Sequence, residues 1–109
     1  MATFVATSAF PEIKTWEAHC FLKINGKSVV EGGCVVNLEE TGGVALEFVG
    51  KNKQQSVWVT TLYNDNGAID SDHGVAKWMN VHEIKSLGEV HQKESCWKNQ
   101  RVEICYTSK

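Results

Sequence analysis

The sequence has little of several features that would point to a particular class of protein. Its one proline is Pro11, and no apolar run approaches the roughly 20 residues that a membrane-spanning helix needs. A basic excess is also missing, because 11 Lys and Arg stand against 13 Asp and Glu, for a net charge of −2. A nucleic-acid-binding domain needs a basic stripe to offset phosphate charge. We therefore expect no membrane span and no nucleic-acid partner.

Signatures of catalysis are missing as well. The chain has no G-x-S-x-G turn, no P-loop and no G-x-G-x-x-G. His19 and Cys20 are adjacent, but neighbouring residues of a strand point to opposite faces of a sheet. No two of the four histidines have a metal-binding spacing, although a site assembled across strands stays open as an alternative. We predict a protein that is not an enzyme and that holds no metal or other cofactor.

What the chain does have is the size and composition of one folded domain. It contains 109 residues, of which 42% are hydrophobic and 22% charged, close to the globular average. Alternation of apolar and polar residues dominates, most clearly in Ser56–Tyr63, which is rich in β-branched and aromatic residues. We predict a mainly β protein, a small antiparallel sandwich or barrel of about seven to nine strands. Residues 16–109 would form this single β domain, behind an N-terminal tail of residues 1–15.

Several local expectations accompany this fold. Residues 11–19 and 80–85 are the only segments in which a short helix is expected. Trp58 lies in mid-strand beside valines and is assigned to the core. Residues 64–74 are rich in Asn, Asp, Gly and Ser, which favour turns, so they are expected to form the longest loop.

The four cysteines form no C-x-x-C pair and allow three disulfide pairings. Cys20 and Cys34 bracket a segment that reads as a hairpin with Asn25-Gly26 as its type I′ turn. A second hairpin-like segment separates Cys96 from Cys105. We therefore predict two disulfide-closed hairpins, with four free thiols in a cytosolic protein as the alternative.

The first of these disulfides needs an irregular strand pairing. Strict pairing about the Asn25-Gly26 turn would place Cys20 opposite Glu31 rather than opposite Cys34. The glycine pair Gly32-Gly33 just before Cys34 suggests the position of the required bulge or bend.

Disulfides also bear on the compartment, because they persist in oxidising surroundings. Their prediction therefore implies a periplasmic or secreted protein. Residues 1–10 are apolar and rich in small residues but lack a basic region. Three interpretations of this segment stay open: the end of a signal peptide, a cytosolic start and a disordered tail.

Two resemblances support export. The run Cys-Phe-Leu-Lys-Ile-Asn-Gly-Lys at residues 20–27, followed by Gly33-Cys34, and the ending from Cys96-Trp97 to Cys105 resemble small, uncharacterised secreted or periplasmic four-cysteine proteins of proteobacteria. More loosely, residues 71–78 are similar to the Ser-Gly-x-x-Tyr-like loop of periplasmic lysozyme inhibitors. The first resemblance implies disulfides and export, and the second implies inhibition of a cell-wall hydrolase.

These observations favour a binding protein with a protein partner, a toxin or a cell-wall hydrolase that it would occlude as an inhibitor or immunity protein. An acidic loop on a rigid scaffold would attract a basic partner. The expected contact residues are Asp65, Asp70, Asp72, His73 and Lys77. The alternative is a small-ligand module that binds a sugar on an exposed Trp, or calcium through the oxygen-rich loop.

Overall fold

The computed structural model describes residues 14–108, which form a closed antiparallel barrel. Each strand pairs with the next along the chain, and β8 returns to pair with β1. The predicted mainly β, antiparallel fold is thus confirmed as a barrel of eight strands. The strands are β1 (Lys14–Ile24), β2 (Lys27–Leu38), β3 (Val44–Phe48), β4 (Ser56–Tyr63), β5 (Ile69–Met79), β6 (Ile84–Lys93), β7 (Cys96–Lys98) and β8 (Val102–Tyr106).

The two helical expectations are wrong wherever the structure describes them. Residues 14–19 belong to β1, two residues ahead of the predicted start of the domain, and residues 11–13 lie outside the described part. Residues 14–19 pair with residues 33–38 of β2, and this pairing overrides a weak helical pattern. Residues 80–83 form a tight turn closed by the Asn80 amide, which donates to the Glu83 carbonyl at 3.0 Å. Within residues 14–108 no helix is long and apolar enough to cross a membrane.

Both predicted disulfides are present, Cys20–Cys34 and Cys96–Cys105. The expected Asn25-Gly26 turn also forms, with φ of 53° and 80°, the left-handed conformation that a type I′ turn requires at both positions. The bulge, however, lies elsewhere than expected. The register shifts at the residue pair Leu22/Lys23, where Val29 is the extra residue of β2, and Gly32-Gly33 stay within regular pairing.

This bulge is what allows the first disulfide to close. It moves Cys20 opposite Gly32, and Cys34 follows two residues later on the same face of β2. The disulfide therefore runs diagonally between the strands, with 5.8 Å between the Cα atoms, within the usual range for a disulfide. Cys96 and Cys105 need no such adjustment, because they are directly opposed in the β7–β8 pair.

The interior is filled by the inward-facing residues of all eight strands, with the fully buried Trp97 as the largest side chain. The Cys20–Cys34 disulfide is part of this core. Trp58 is not, so its assignment to the core is wrong. Val57 and Val59 on either side of it face inward, and the two-residue period of a strand then turns Trp58 to the outer face, where it is half-buried.

Because the strands run up and down, their turns fall alternately at the two ends of the barrel. Residues 39–43, 64–68 and 94–95 form the turns of one end, which we call the acidic end. Residues 25–26, 49–55, 80–83 and 99–101 form the turns of the other, which we call the basic end. We assign a charged residue to one end when it lies in a turn of that end or within two residues of such a turn. The acidic end then carries five carboxylates and one amine, those of Glu39, Glu40, Asp65, Asp70, Glu94 and Lys93. By the same criterion the basic end carries Lys23, Lys27, Lys51, Lys53, Lys85, Lys98 and Arg101 and the carboxylates Glu47, Glu83 and Glu103.

The two disulfides should contribute unequally to stability. Replacement of Cys20 and Cys34 by Ala should lower the free energy of unfolding by about 3 kcal/mol through the loss of a loop of about 15 residues. The free energy of unfolding should fall further through the loss of two buried sulfur atoms, because both side chains are in the core. Replacement of Cys96 and Cys105, of which Cys96 is half-buried, should have the smaller effect. Urea unfolding of the two variants makes the comparison, and equal losses would contradict it.

The tyrosine at the end of β8 should make the barrel sensitive to high pH. Tyr106 is buried and packs edge-on against Trp16, with ring centroids 6.1 Å apart, and this burial raises the pKa of the Tyr106 phenol. The folded state then holds the proton more tightly than the unfolded state. Stability should be intact below pH 10, the ordinary value, and should fall as the pH rises from there through the raised pKa. Tyr106→Phe should weaken this fall in urea titrations between pH 9 and 11, and an unchanged fall would refute the assignment.

Candidate functional site

A partner or ligand of this barrel would have to bind at its outer surface. The interior is occupied by packed side chains, as an eight-stranded barrel can be. The depressions among the described residues are surface features, such as the one beside the turn of residues 99–101. The predicted contact residues lie on this outer surface, in the turn of residues 64–68 and along β5.

The β4–β5 hairpin is tighter than the sequence suggests. Its loop covers residues 64–68 only, and β5 begins at Ile69, so the expected loop over residues 64–74 is wrong in length. Asn64 closes the turn: its side-chain oxygen accepts hydrogen bonds from the amides of Asn66 and Ala68 at 2.9 and 3.1 Å. Its own amide donates to the Ala68 carbonyl at 2.7 Å. Asp65 therefore lies on the turn, whereas Asp70, Asp72 and His73 lie on a strand.

A wide bulge at the start of β5 shapes this surface. Leu62 pairs with Asp70 and Thr61 pairs with Gly74, so that residues 71–73 have no partner on β4. The side chain of Asp70 supports the bulge by accepting a hydrogen bond from the Asp72 amide at 3.2 Å. The bulge leaves Asp72 exposed and Asp70 half-buried.

The bulge also brings a second turn against β5. Gly42, in the turn of residues 39–43, lies so close to Ser71 that a Cβ on Gly42 would be 2.8 Å from the Cβ of Ser71. This turn carries Glu39 and Glu40. The turn of residues 39–43 and the bulge of residues 71–73, which are far apart in the sequence, therefore adjoin at the same end of the barrel.

His73 links the acidic surface to β6. Its Nε2 lies 2.7 Å from a carboxylate oxygen of Glu89, and its Nδ1 lies 4.0 Å from a carboxylate oxygen of Asp70. Its ring stacks on that of His91, with centroids 4.3 Å apart and planes 8° apart. Glu89 and His91 were missed by reasoning from the sequence. The β5–β6 register that pairs His73 with His91 has no local sequence signal.

An apolar pair stands at the base of the same hairpin. Tyr63 and Ile69 are opposite each other across β4 and β5, and 71% and 43% of their surfaces are exposed. Both escaped the sequence analysis. The signal that could have found Tyr63 is its position next to the turn, where a hairpin strand leaves the sheet.

The last predicted residue is separated from the others. Lys77 is exposed on β5, four residues beyond His73 and thus about 13 Å further along the strand. Its neighbours across the strands are Trp58 and Ser86. The structure therefore brings Asp65, Asp70, Asp72 and His73 toward one end of the barrel and leaves Lys77 on its wall.

One further cluster has the composition of a metal site. Donor atoms of Cys96, Glu103 and Cys105 lie within 4.8 Å of one another. Both cysteines are in a disulfide, and a sulfur in a disulfide is not the thiolate that binds a metal. This cluster is therefore structural.

Comparison with known proteins leaves the site to be interpreted from its own geometry. No family model, no curated protein and no solved structure matches the chain. The resemblances to secreted four-cysteine proteins and to lysozyme inhibitors accordingly stay predictions.

The contact between the turn of residues 39–43 and the bulge in β5 should be visible in the stability of glycine variants. Gly42 and Gly67 both have positive φ, 97° and 81°, but only Gly42 has an atom within 4 Å of where a Cβ would be placed. Gly67→Ala should cost about 1 kcal/mol for backbone strain alone. Gly42→Ala should cost about 1 to 3 kcal/mol more, since Ser71 must move. Equal losses in chemical unfolding would show that Gly42 and Ser71 are not in contact.

Proposed function

We propose that the protein is an exported binding protein, not an enzyme, that inhibits a basic cell-wall hydrolase or toxin by occluding it with the acidic end. The observation that carries this proposal is the exposed Tyr63–Ile69 pair, which stands beside the carboxylates of Asp65, Asp70 and Asp72. An immunity protein against a toxin delivered by a neighbouring cell would act in the same way.

The composition of this surface suits protein recognition. Protein interfaces commonly have an aromatic anchor at their centre and a polar rim that excludes water. Tyr63 would be the anchor, and the carboxylates would steer a basic partner toward it. Asn64 holds the turn through four hydrogen bonds, so that little conformational entropy is lost when the partner binds.

The disulfides support export as part of the same proposal. The two bonds, Cys20–Cys34 and Cys96–Cys105, are typical of proteins in oxidising compartments. We propose that the protein acts in the periplasm or after secretion, where cell-wall hydrolases also act.

The small-ligand alternative has less support. None of the four Trp side chains is exposed: Trp97 is buried, and Trp16, Trp58 and Trp78 are half-buried. An exposed Trp as a stacking platform for sugar is therefore missing. For calcium, side-chain oxygens of Asn64 and Asp70 already accept hydrogen bonds from backbone amides of their own segment, which is ordinary turn chemistry.

The proposal is tested with a basic lysozyme as the hydrolase. Wild-type protein should slow the clearing of a cell-wall suspension. The double variant Asp65→Lys/Asp72→Lys should weaken inhibition about ten-fold at low salt, because it reverses two exposed charges. Tyr63→Ala should weaken it about as much at every salt concentration, because it removes the anchor.

The matched control is Glu47→Lys/Glu83→Lys, which makes the same change in net charge at the basic end. This variant should inhibit like the wild type. Lysis that proceeds unchanged in the presence of wild-type protein would contradict the proposal for lysozyme. Inhibition that survives charge reversal at the acidic end would contradict its assignment to that surface.

A further inference from the structure

The basic end exposes aliphatic side chains that the proposed function does not use. Of the seven exposed large hydrophobic side chains among the described residues, five lie at or near this end. They are Val29, Val49, Met79, Val81 and Ile84. A cluster of exposed aliphatic side chains in a small protein marks a surface for interaction.

The most prominent members of this group sit on the β5–β6 hairpin. Met79 and Ile84 are opposite each other across the strands, and Val81 lies in the turn beyond them. Val81 and Ile84 are 62% and 59% exposed. The turn is held by the side-chain oxygen of Asn80, which accepts hydrogen bonds from the amides of His82 and Glu83 at 2.9 and 3.1 Å. Val81 is thus held at a protruding tip.

A second turn of the basic end also exposes an aliphatic side chain. Val49 is exposed at the start of the segment that leads from β3 to β4, where it lies against Gly33 of β2. The other end of that segment adjoins the β5–β6 hairpin, because the first residue of β4, Ser56, pairs with Met79 at the last position of β5. The aliphatic surface is therefore centred on the β5–β6 hairpin, and Val49 lies apart from it.

Positively charged side chains outnumber negatively charged ones at the end of the barrel that carries these aliphatic groups. Seven Lys and Arg against three carboxylates lie in or within two residues of the turns at this end. Two of these cations are paired, Lys85 with Glu83 at 3.6 Å and Lys98 with Glu103 at 3.4 Å. Lys51 and Lys53, in the same segment as Val49, make no ion pair with any other residue of the range 14–108.

We propose that the basic end docks on the surface of an anionic lipid bilayer. Val81, Ile84 and Met79 enter the headgroup region, while Lys51 and Lys53 lie against the lipid phosphates. Aliphatic groups that protrude from a basic surface are the pattern of proteins that lie on anionic membranes. A nucleic acid would instead be met by aromatic side chains on which bases stack, and the side chains at this tip are aliphatic.

Docking in this way would leave the other surface free. The acidic end lies at the opposite end of the strands, so it would face away from the membrane. The inference does not depend on the proposed inhibition, and either one can fail while the other stands.

The test is sedimentation of the protein with vesicles. Wild-type protein should sediment with vesicles that contain phosphatidylglycerol and stay in solution with pure phosphatidylcholine. Lys51→Gln/Lys53→Gln should reduce partitioning about five-fold for each lysine. Val81→Ser/Ile84→Ser should reduce it about ten-fold, because apolar surface is lost from the tip. Near-ultraviolet circular dichroism checks that each variant is folded.

The matched control for charge is Lys14→Gln/Lys93→Gln. These two lysines lie at the acidic end, and their replacement changes the net charge by the same amount. The control should partition like the wild type. Absence of wild-type binding to anionic vesicles would overturn the proposal, and so would equal losses in the two lysine variants.

Binding to heparin distinguishes a surface that binds membranes from one that binds soluble polyanions. The wild type should bind it more weakly than anionic vesicles. Heparin binding that is as tight as vesicle binding, with both unaffected by Val81→Ser/Ile84→Ser, would overturn the lipid proposal in favour of a polyanion.

Discussion

The pairing of β8 with β1 is the constraint on which the rest of the structure depends. It spans five residue pairs, from Cys20↔Tyr106 to Ile24↔Val102, and it satisfies backbone groups that an open sheet would leave at two edges. Closure also creates an interior that must be filled. Trp97 and the inward-facing aliphatic residues fill it, and the Cys20–Cys34 disulfide packs among them. With its interior occupied, the protein is left with its turns and outer face for recognition.

The up-and-down course of the strands then decides how charge is distributed. Consecutive turns alternate between two ends, so charged residues of successive turns, such as Glu40 and Lys51, are carried to opposite ends of the barrel. The net charge of −2 gives no sign of this separation of acidic from basic residues. The absence of a basic excess in the composition predicts no basic surface, yet one end of the barrel is basic. Net charge is a sum, whereas a partner meets only the local surface.

Several elements could be predicted because their signals are local. Asn25-Gly26 requires two positive φ values, and Ser56–Tyr63 has the residue types of a strand. The assignment of Trp58 to the core was wrong because the alternation of residues is symmetric. It shows that Trp58 and the valines beside it are on different faces of the strand, but not which face is inside. Asp70 has the composition of a loop residue but lies on β5, because its pairing with Leu62 of β4 outweighs weak turn preferences, and Asp72 follows it in the bulge that has no partner on β4. Of the residues that line the candidate surface, Asp65, Asp70, Asp72 and His73 were predicted from the sequence as contact residues, and this role stays a prediction, whereas Glu89 and Tyr63 were not predicted.

The sequence by itself determined the β class, the strand alternation, the Asn25-Gly26 turn and, through the spacing of its cysteines, the pairing of both disulfides. Each of these follows from residue types close together in the chain. Only the tertiary structure decided the closure of the barrel, the bulge at Val29, the stacking of His73 on His91 and the separation of acidic from basic turns. These depend on strand register, and a register is the outcome of many weak contacts between distant residues. A shift by one position reverses the face of every side chain, and no local pattern specifies it.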